Sequence, residues 1–199
     1  EKENLIDKYE DKLGTYLMKL TGQPMNSTQT QEVSKFLHTL SDFERLGDHA
    51  VNISKVAKEL SDKKISFSES AQYEISVLSA SIREITDLTV DAFCTDSLEL
   101  AKKVEPLREL IGMLCNELKN RHITRLREGK CEFQQGFAFN DLLTNLERTS
   151  DHCSNIAGCV IDIALHHLNL HATLRSAKLD DGSFRDAYRR YTEKYALEE

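Results

Sequence analysis

The sequence predicts an all-α fold: six helices, arranged as two tandem three-helix bundles. Apolar residues recur at helical spacing along almost the whole chain. Breakers are scarce, with 2 prolines and 8 glycines among 199 residues. No alternating apolar and polar run bounded by turn residues reads as a strand. The order helix-helix-helix occurs twice, so each trio can bury its stripes as a bundle and two bundles can pack side by side.

Residues 1–21 read as the first helix, stopped by Gly22 and Pro24. Thr28 with Gln31 has the spacing of a capping box, and a second helix is expected from there to about Leu60. Its apolar stripe runs Val33, Phe36, Leu37, Leu40, Phe43, Gly47, Ala50, Val51, Ala57. Ser66 with Glu69 opens a third helix to about Phe93, and Asp96 with Glu99 opens a fourth to about Gly129. The fifth is expected over 134–169. A polar stretch from Ser176 to Gly182 then leads through Ser183 into a short aromatic-bearing helix ending near Tyr195. The expected units are residues 1–94 and residues 95–199.

A net charge of −7 with no Lys/Arg-rich tract argues against nucleic-acid binding. Cys94, Cys115, Cys131, Cys153 and Cys159 are odd in number and form no CxxC pair, so reduced thiols are expected rather than disulfides or a zinc ribbon. No leader opens the chain, and no apolar run approaches the roughly 20 residues that span a bilayer. Because Glu1 to Ile6 already reads as helix interior, the chain is expected to be a piece of something longer.

One phrase occurs twice: Phe43-Glu44-Arg45-Leu46-Gly47-Asp48-His49-Ala50-Val51-Asn52-Ile53 and Leu146-Glu147-Arg148-Thr149-Ser150-Asp151-His152-Cys153-Ser154-Asn155-Ile156. Glu, Arg, Asp, His, Asn and Ile return at the same offsets, 103 residues on. A repeat of that period marks two similar units. Residues four apart share a helix face. Glu44, Asp48 and Asn52 therefore form one oxygen-bearing line, and Glu147, Asp151 and Asn155 another. Glu44 falls within the apolar stripe, where an ionised carboxylate is costly without a partner. Glu3 and Asp7 on the first helix are matched by Glu105 and Glu109 on the fourth, 102 residues later. Oxygens from two helices per unit suit hard or borderline cations.

The competing reading is structural: an Arg from an adjacent helix could neutralise Glu44 as an ion pair, whereas its chain neighbour Arg45 is not expected to face it. His49 and His152 lie about 100° from their Asp neighbours around the helix and are expected to pair at an interface or cap the bundle's side rather than complete the site. His166, His167 and His171 read as surface residues. Catalysis fares worse. Asp48 and His49 are adjacent, as are Asp151 and His152, which breaks the Glu-x-x-His pattern of a di-iron oxidase. No Gly-rich phosphate loop, nucleophile elbow or HExxH occurs.

The ten-letter phrase Glu-Arg-Leu-Gly-Asp-His-Ala-Val-Asn-Ile resembles the signature of the PhoU family, whose two three-helix repeats each carry an E/D-x-x-x-D motif. Both copies match, and the resemblance covers essentially the whole chain. It implies a non-enzymatic regulator of phosphate uptake holding multinuclear metal clusters, iron or zinc foremost, with manganese or magnesium as further candidates. By position, ligand roles fall on Glu44, Asp48, Glu147 and Asp151, with Asn52 and Asn155 as extra ligands and Glu3, Asp7, Glu105 and Glu109 from the preceding helices. The tail from Ser183 to Tyr195 looks like the end of bacterial sodium/phosphate cotransporters, implying a domain on the cytoplasmic side of the inner membrane. Its expected partners are then the transporter's own membrane part, phosphate, and a second copy in a homodimer. The alternatives are a stand-alone PhoU-type adaptor acting on an ABC phosphate transporter or a sensor kinase, and a metal-free structural dimerisation bundle. Departures are Thr149-Ser150 for Leu46-Gly47, Cys153 for Ala50, and Pro106 after Glu105, where a mid-helix proline would remove a backbone hydrogen bond and shift Glu105.

Overall fold

The structure, a computed structural model, describes residues 2–165 and 182–197. These residues form six helices and no strand: α1 Glu3–Thr21, α2 Ser27–Asp62, α3 Glu69–Thr95, α4 Leu98–Arg127, α5 Phe133–Ala164 and α6 Gly182–Lys194. The six-helix, all-α expectation is met. The part of the expected fifth helix beyond residue 165, and most of the polar stretch after it, lie outside the described residues. No described helix is long and apolar enough to cross a membrane.

The helices start where a side chain can satisfy the first backbone N–H groups. Asn26, not Thr28, caps α2: its Oδ1 accepts from the Gln29 N–H at 2.9 Å, and Gln29 Oε1 accepts from the Asn26 N–H at 3.0 Å. Ser68, not Ser66, caps α3 through the Ala71 N–H at 3.3 Å. Asp96 does not open α4 but closes α3, in the left-handed region at φ 51°, and Ser97 then caps α4 through the Leu100 N–H. Helix α4 runs through Pro106, which stands inside the helix.

α3 lies along α4 and α5, not along α1. The link between α3 and α4 is only Asp96 and Ser97, and so short a turn makes neighbours of the helices it joins. The main core accordingly sits among α3, α4 and α5, built on Leu78, Ile85, Leu107, Ile111, Leu118 and Leu143, all with no exposed surface. α3 meets α2 near its C-terminal end, where Phe93 packs edge-on against Phe36 and Phe43. The repeat boundary at residues 94/95 falls at the C-terminal end of α3. α6 lies on α4. It is held to α3 by Lys194 Nζ, 2.8 Å from Glu84, and by the Tyr195 hydroxyl, which donates to the same carboxylate.

α2 and α5 form the seam between the two halves, and they run antiparallel. Lys35 meets Cys159, Asp42 meets His152, and His49 meets Asn145. The repeat makes these contacts symmetric, since Asp42 and Asn145 are 103 residues apart, as are His49 and His152. Each histidine donates from Nδ1 to the other helix, His49 to Asn145 Oδ1 at 2.9 Å and His152 to Asp42 Oδ1 at 2.7 Å. The two rings stack, with centroids 5.4 Å apart.

Burial sorts the five thiols. Cys115, Cys153 and Cys159 are buried, Cys131 is half-buried and Cys94 exposed. Burial, with the Glu147 carboxylate nearby, pushes Cys115 up to about 12. Burial likewise pushes Cys159 up to about 11. The thiolate is the reactive form. An Ellman titration of the native chain at pH 8 is expected to count two thiols, rising to five only in denaturant, and pH 9 should recruit none of the buried three. Five thiols reacting in the native state at pH 8 would contradict this packing.

Candidate functional site

The two acidic lines lie on the faces of α2 and α5 that look toward α1 and α4 respectively. α1 meets α2 at Ile6, which packs so closely on Gly47 that a Cβ there would come within 2.9 Å of the Ile6 side chain, and again at Gly14 against Leu40. Glycine is thus what lets α1 approach the first line. On α1, Glu3, Asp7, Glu10 and Gly14 share the side turned to α2, since 100° per residue places them within about 60° of one another.

In the first line, Glu44 has its side chain 16% exposed and Asp48 30%. Burial raises the Glu44 carboxyl above its ordinary value; the Asp48 carboxylate adds to this, Arg45 opposes it, and Glu10 adds again. The α1 carboxylate that acts on Glu44 is therefore Glu10, which the sequence reading passed over in favour of Glu3 and Asp7. Its signal was present: Glu10 is three residues from Asp7 and seven from Glu3, on the same face. Arg45 also departs from expectation. Its long side chain bends back to place Nε 3.5 Å from Glu44, and an Nη reaches Asp48 at 3.0 Å.

The second line is arranged differently. Glu147 accepts from Lys119 Nζ at 2.9 Å. Asp151 Oδ1 accepts twice from Arg108, from Nε at 3.0 Å and from an Nη at 2.7 Å. Arg148 reaches the other Asp151 oxygen at 3.3 Å, the counterpart of Arg45 on Asp48. Burial works against the Arg108 charge, but Asp151, Glu105 and Glu109 around it raise its pKa on balance. Glu105 is 7% exposed and accepts from the Ser154 hydroxyl. Asn155 is turned to the seam, where its amide donates to Asp42 at 3.1 Å. Asn52 accepts from Lys55 at 3.3 Å. Neither asparagine joins its acidic line.

Aligning the repeats explains the difference. A shift of 102 residues carries Ile6 to Arg108, Glu10 to Gly112 and Leu17 to Lys119. The second half thus gains two cations and loses one acid at the positions that face its acidic line. The carboxylates are the same, and their environment is inverted.

The family resemblance implies a metal, and the two lines differ in how they suit one. Among the described residues, no three His, Cys, Asp or Glu side chains converge as an ion's ligands. The second line does not fit a cation, because Arg108, Lys119 and Arg148 already occupy its oxygens. The first line carries the net negative charge a cation needs, with Glu10, Glu44 and Asp48 against one arginine, but Arg45 lies on both Glu44 and Asp48 and the three carboxylates do not converge. Expected surface residues His166, His167 and His171 lie outside the described residues.

The family model described as "PhoU domain" matches residues 1–57 and 75–160, ranges that contain both acidic phrases. A phosphate-specific transport system accessory protein PhoU homolog of Clostridium acetobutylicum is 24% identical over 163 residues, covering 81% of this chain and 73% of the relative. A Thermotoga maritima protein described as PhoU homolog 1 of the same system is 25% identical over 135 residues, which are 68% of this chain and 57% of that protein. The crystal structure of the phosphate transport system regulatory protein PhoU from Streptococcus pneumoniae superposes with a TM-score of 0.74 at 20% identity, covering 84% of this chain and 78% of the other. That likeness speaks for the fold.

Proposed function

The chain belongs to the PhoU family, and from that premise we propose that it is a regulatory accessory protein of phosphate transport, acting by docking rather than by catalysis. The observation that supports this most is the extent of the family match, which takes in both halves and both acidic phrases. The relatives from Clostridium and Thermotoga are described as accessory proteins of a phosphate-specific transport system. They favour the adaptor reading, with an ABC phosphate transporter or its sensor kinase as the contacted machinery. The cotransporter reading draws on the resemblance of the segment Ser183 to Tyr195. The non-catalytic reading agrees with chemistry at the lines: Cys115 and Cys153 have thiols raised by burial, and Asp151 is engaged by arginines.

Cation binding enters this proposal at the first line only, at Glu44 and Asp48 with Glu10 from α1. A bound divalent ion there would supply fixed positive charge and hold α1 against α2. No donor set is proposed for the second line.

The test is complementation in a bacterium deleted for its own PhoU-family accessory protein, with a phosphatase reporter of phosphate starvation. Expression of this chain is expected to restore repression in phosphate-rich medium. Folded, expressed protein that leaves the reporter fully induced would overturn the accessory reading.

A further inference from the structure

The repeat that reveals the closed second line also reveals an open surface elsewhere. On α4, Leu107, Ile111, Cys115 and Leu118 have no exposed surface, lying in the core that α4 shares with α3 and α5. A shift of 102 residues carries those four positions to Leu5, Tyr9, Leu13 and Tyr16 of α1. These are 52%, 57%, 44% and 59% exposed. α1 lies along α2 and along no other described helix. The same helix face is therefore covered in one half of the molecule and bare in the other.

We propose that this face of α1 is a docking surface for an amphipathic helix that carries an acidic edge, supplied by another protein. The cover in the second half indicates what kind of element fits. α3 brings an aliphatic stripe, Leu78, Ile82 and Ile85, and one carboxylate, Glu74, which lies 2.8 Å from Arg125 and 3.8 Å from Arg121 of α4. Arg121 corresponds to Lys19 of α1 by the same shift. Arg125, the closer partner, corresponds to Gln23, so one of the two basic positions is kept on α1 while the acidic partner is missing.

The charge pattern fixes the partner's chemistry. Leu5, Tyr9, Leu13 and Tyr16 fall within about 80° around α1, and Lys8, Lys12 and Lys19 within about 40° beside them, on the edge away from α2. All three lysines are exposed, and among the described residues no carboxylate pairs with them. A helix laid along the stripe therefore meets a row of unneutralised cations on one side, and acids there are favoured while bases are repelled. The same row argues against a second copy of α1 as the occupant. In an antiparallel, isologous pair each edge meets its own copy, so lysine would face lysine. A parallel pair would need the opposite edge, and that edge, with Ile6 and Leu17, is packed on α2. The stripe from Leu5 to Tyr16 is about 17 Å long at 1.5 Å per residue, which calls for a partner helix of about a dozen residues or more. The surface stands independently of the phosphate-transport role.

The probe is a designed 18-residue amphipathic peptide with leucine along one face and glutamate along the edge that would meet the lysines. A second peptide of the same composition carries lysine in place of that glutamate. Binding to the whole chain is read by fluorescence anisotropy and located by hydrogen exchange of α1 amides. The acidic peptide is expected to bind at least tenfold tighter than the basic one and to protect α1. Tyr9→Glu, on an exposed face, should abolish binding without changing the far-UV circular dichroism. Lys8→Glu with Lys12→Glu should reverse the preference between the peptides. Equal binding of both peptides would overturn the proposal. So would α1 amides already protected in the free chain, a dimer that Tyr9→Glu dissociates, or α1-dependent binding to phosphatidylglycerol vesicles without binding to the acidic peptide.

Discussion

Glu74→Ala is expected to lower stability by about 3–5 kcal/mol, the usual cost of leaving one member of a buried ion pair without its partner. Glu74 is 3% exposed and Arg125 9%. The two make a two-pronged contact, with Nη to Oε distances of 2.8 Å on both prongs. Alanine would strand the guanidinium between α3 and α4, where the Phe139 ring lies 5.6 Å away and the Arg125 Nε already has no hydrogen-bond partner in the structure. At about 2–4 °C per kcal/mol for a chain of this size, the melting temperature should fall by roughly 6–20 °C. Urea titration followed by circular dichroism measures it directly. A loss under 1 kcal/mol would mean that water or Glu117 rescues Arg125. The double variant Glu74→Leu with Arg125→Met separates charge from packing. It should recover most of the loss, because apolar residues of similar volume often replace a buried pair without penalty.

This pair was invisible in the sequence because its members are 51 residues apart on different helices. Helical periodicity says that α3 has an apolar face; it does not say which helix receives it. The one local clue was the two-residue link at Asp96 and Ser97, which ties α3 to α4 and not to α1. The helix starts were readable to within about two residues. At α2, α3 and α4 more than one cap-forming side chain stood close together, and backbone geometry chose among them. Asp96 shows this well, since it entered the left-handed region to end α3 and left the capping to Ser97.

The repeat is the strongest signal in the sequence, and it carries two layers of information. Matching the acidic residues between halves located both lines. The residues that face them separate the two, because Ile6 against Arg108 and Leu17 against Lys119 are changes from apolar to cationic side chains. The bend of Arg45 back onto Glu44 was beyond reach, since it depends on a rotamer. So was the turn of Asn155 toward Asp42, which needs α2 to be in place.

The inverted environments lead to the second large effect, a difference in cation binding that follows the facing residues and not the acids. A dication entering the second line would come close to Arg108 and Lys119. Unit charges about 4 Å apart interact by about 4 kcal/mol at an effective dielectric near 20. Repulsion of that size costs roughly three orders of magnitude in affinity at 1.4 kcal/mol per tenfold. Arg108→Ile, Gly112→Glu and Lys119→Leu together give the second half the residues of the first, and the glutamate has room, since a Cβ on Gly112 meets no atom within 4 Å. Elemental analysis after dialysis against buffered iron, zinc, manganese or magnesium is expected to find metal held by the wild-type chain and a higher stoichiometry in this triple variant. Ile6→Arg with Glu10→Gly does the reverse and should empty the first line, while Glu147→Gln with Asp151→Asn should leave the wild-type metal content unchanged. The stability effects should stay small, since partly exposed ion pairs contribute about 0.2–1 kcal/mol each. Metal lost through Glu147→Gln with Asp151→Asn would overturn the asymmetry. Metal absent from both the wild type and the triple variant would make the two lines ion-pair devices and leave docking as the chain's whole mode of action.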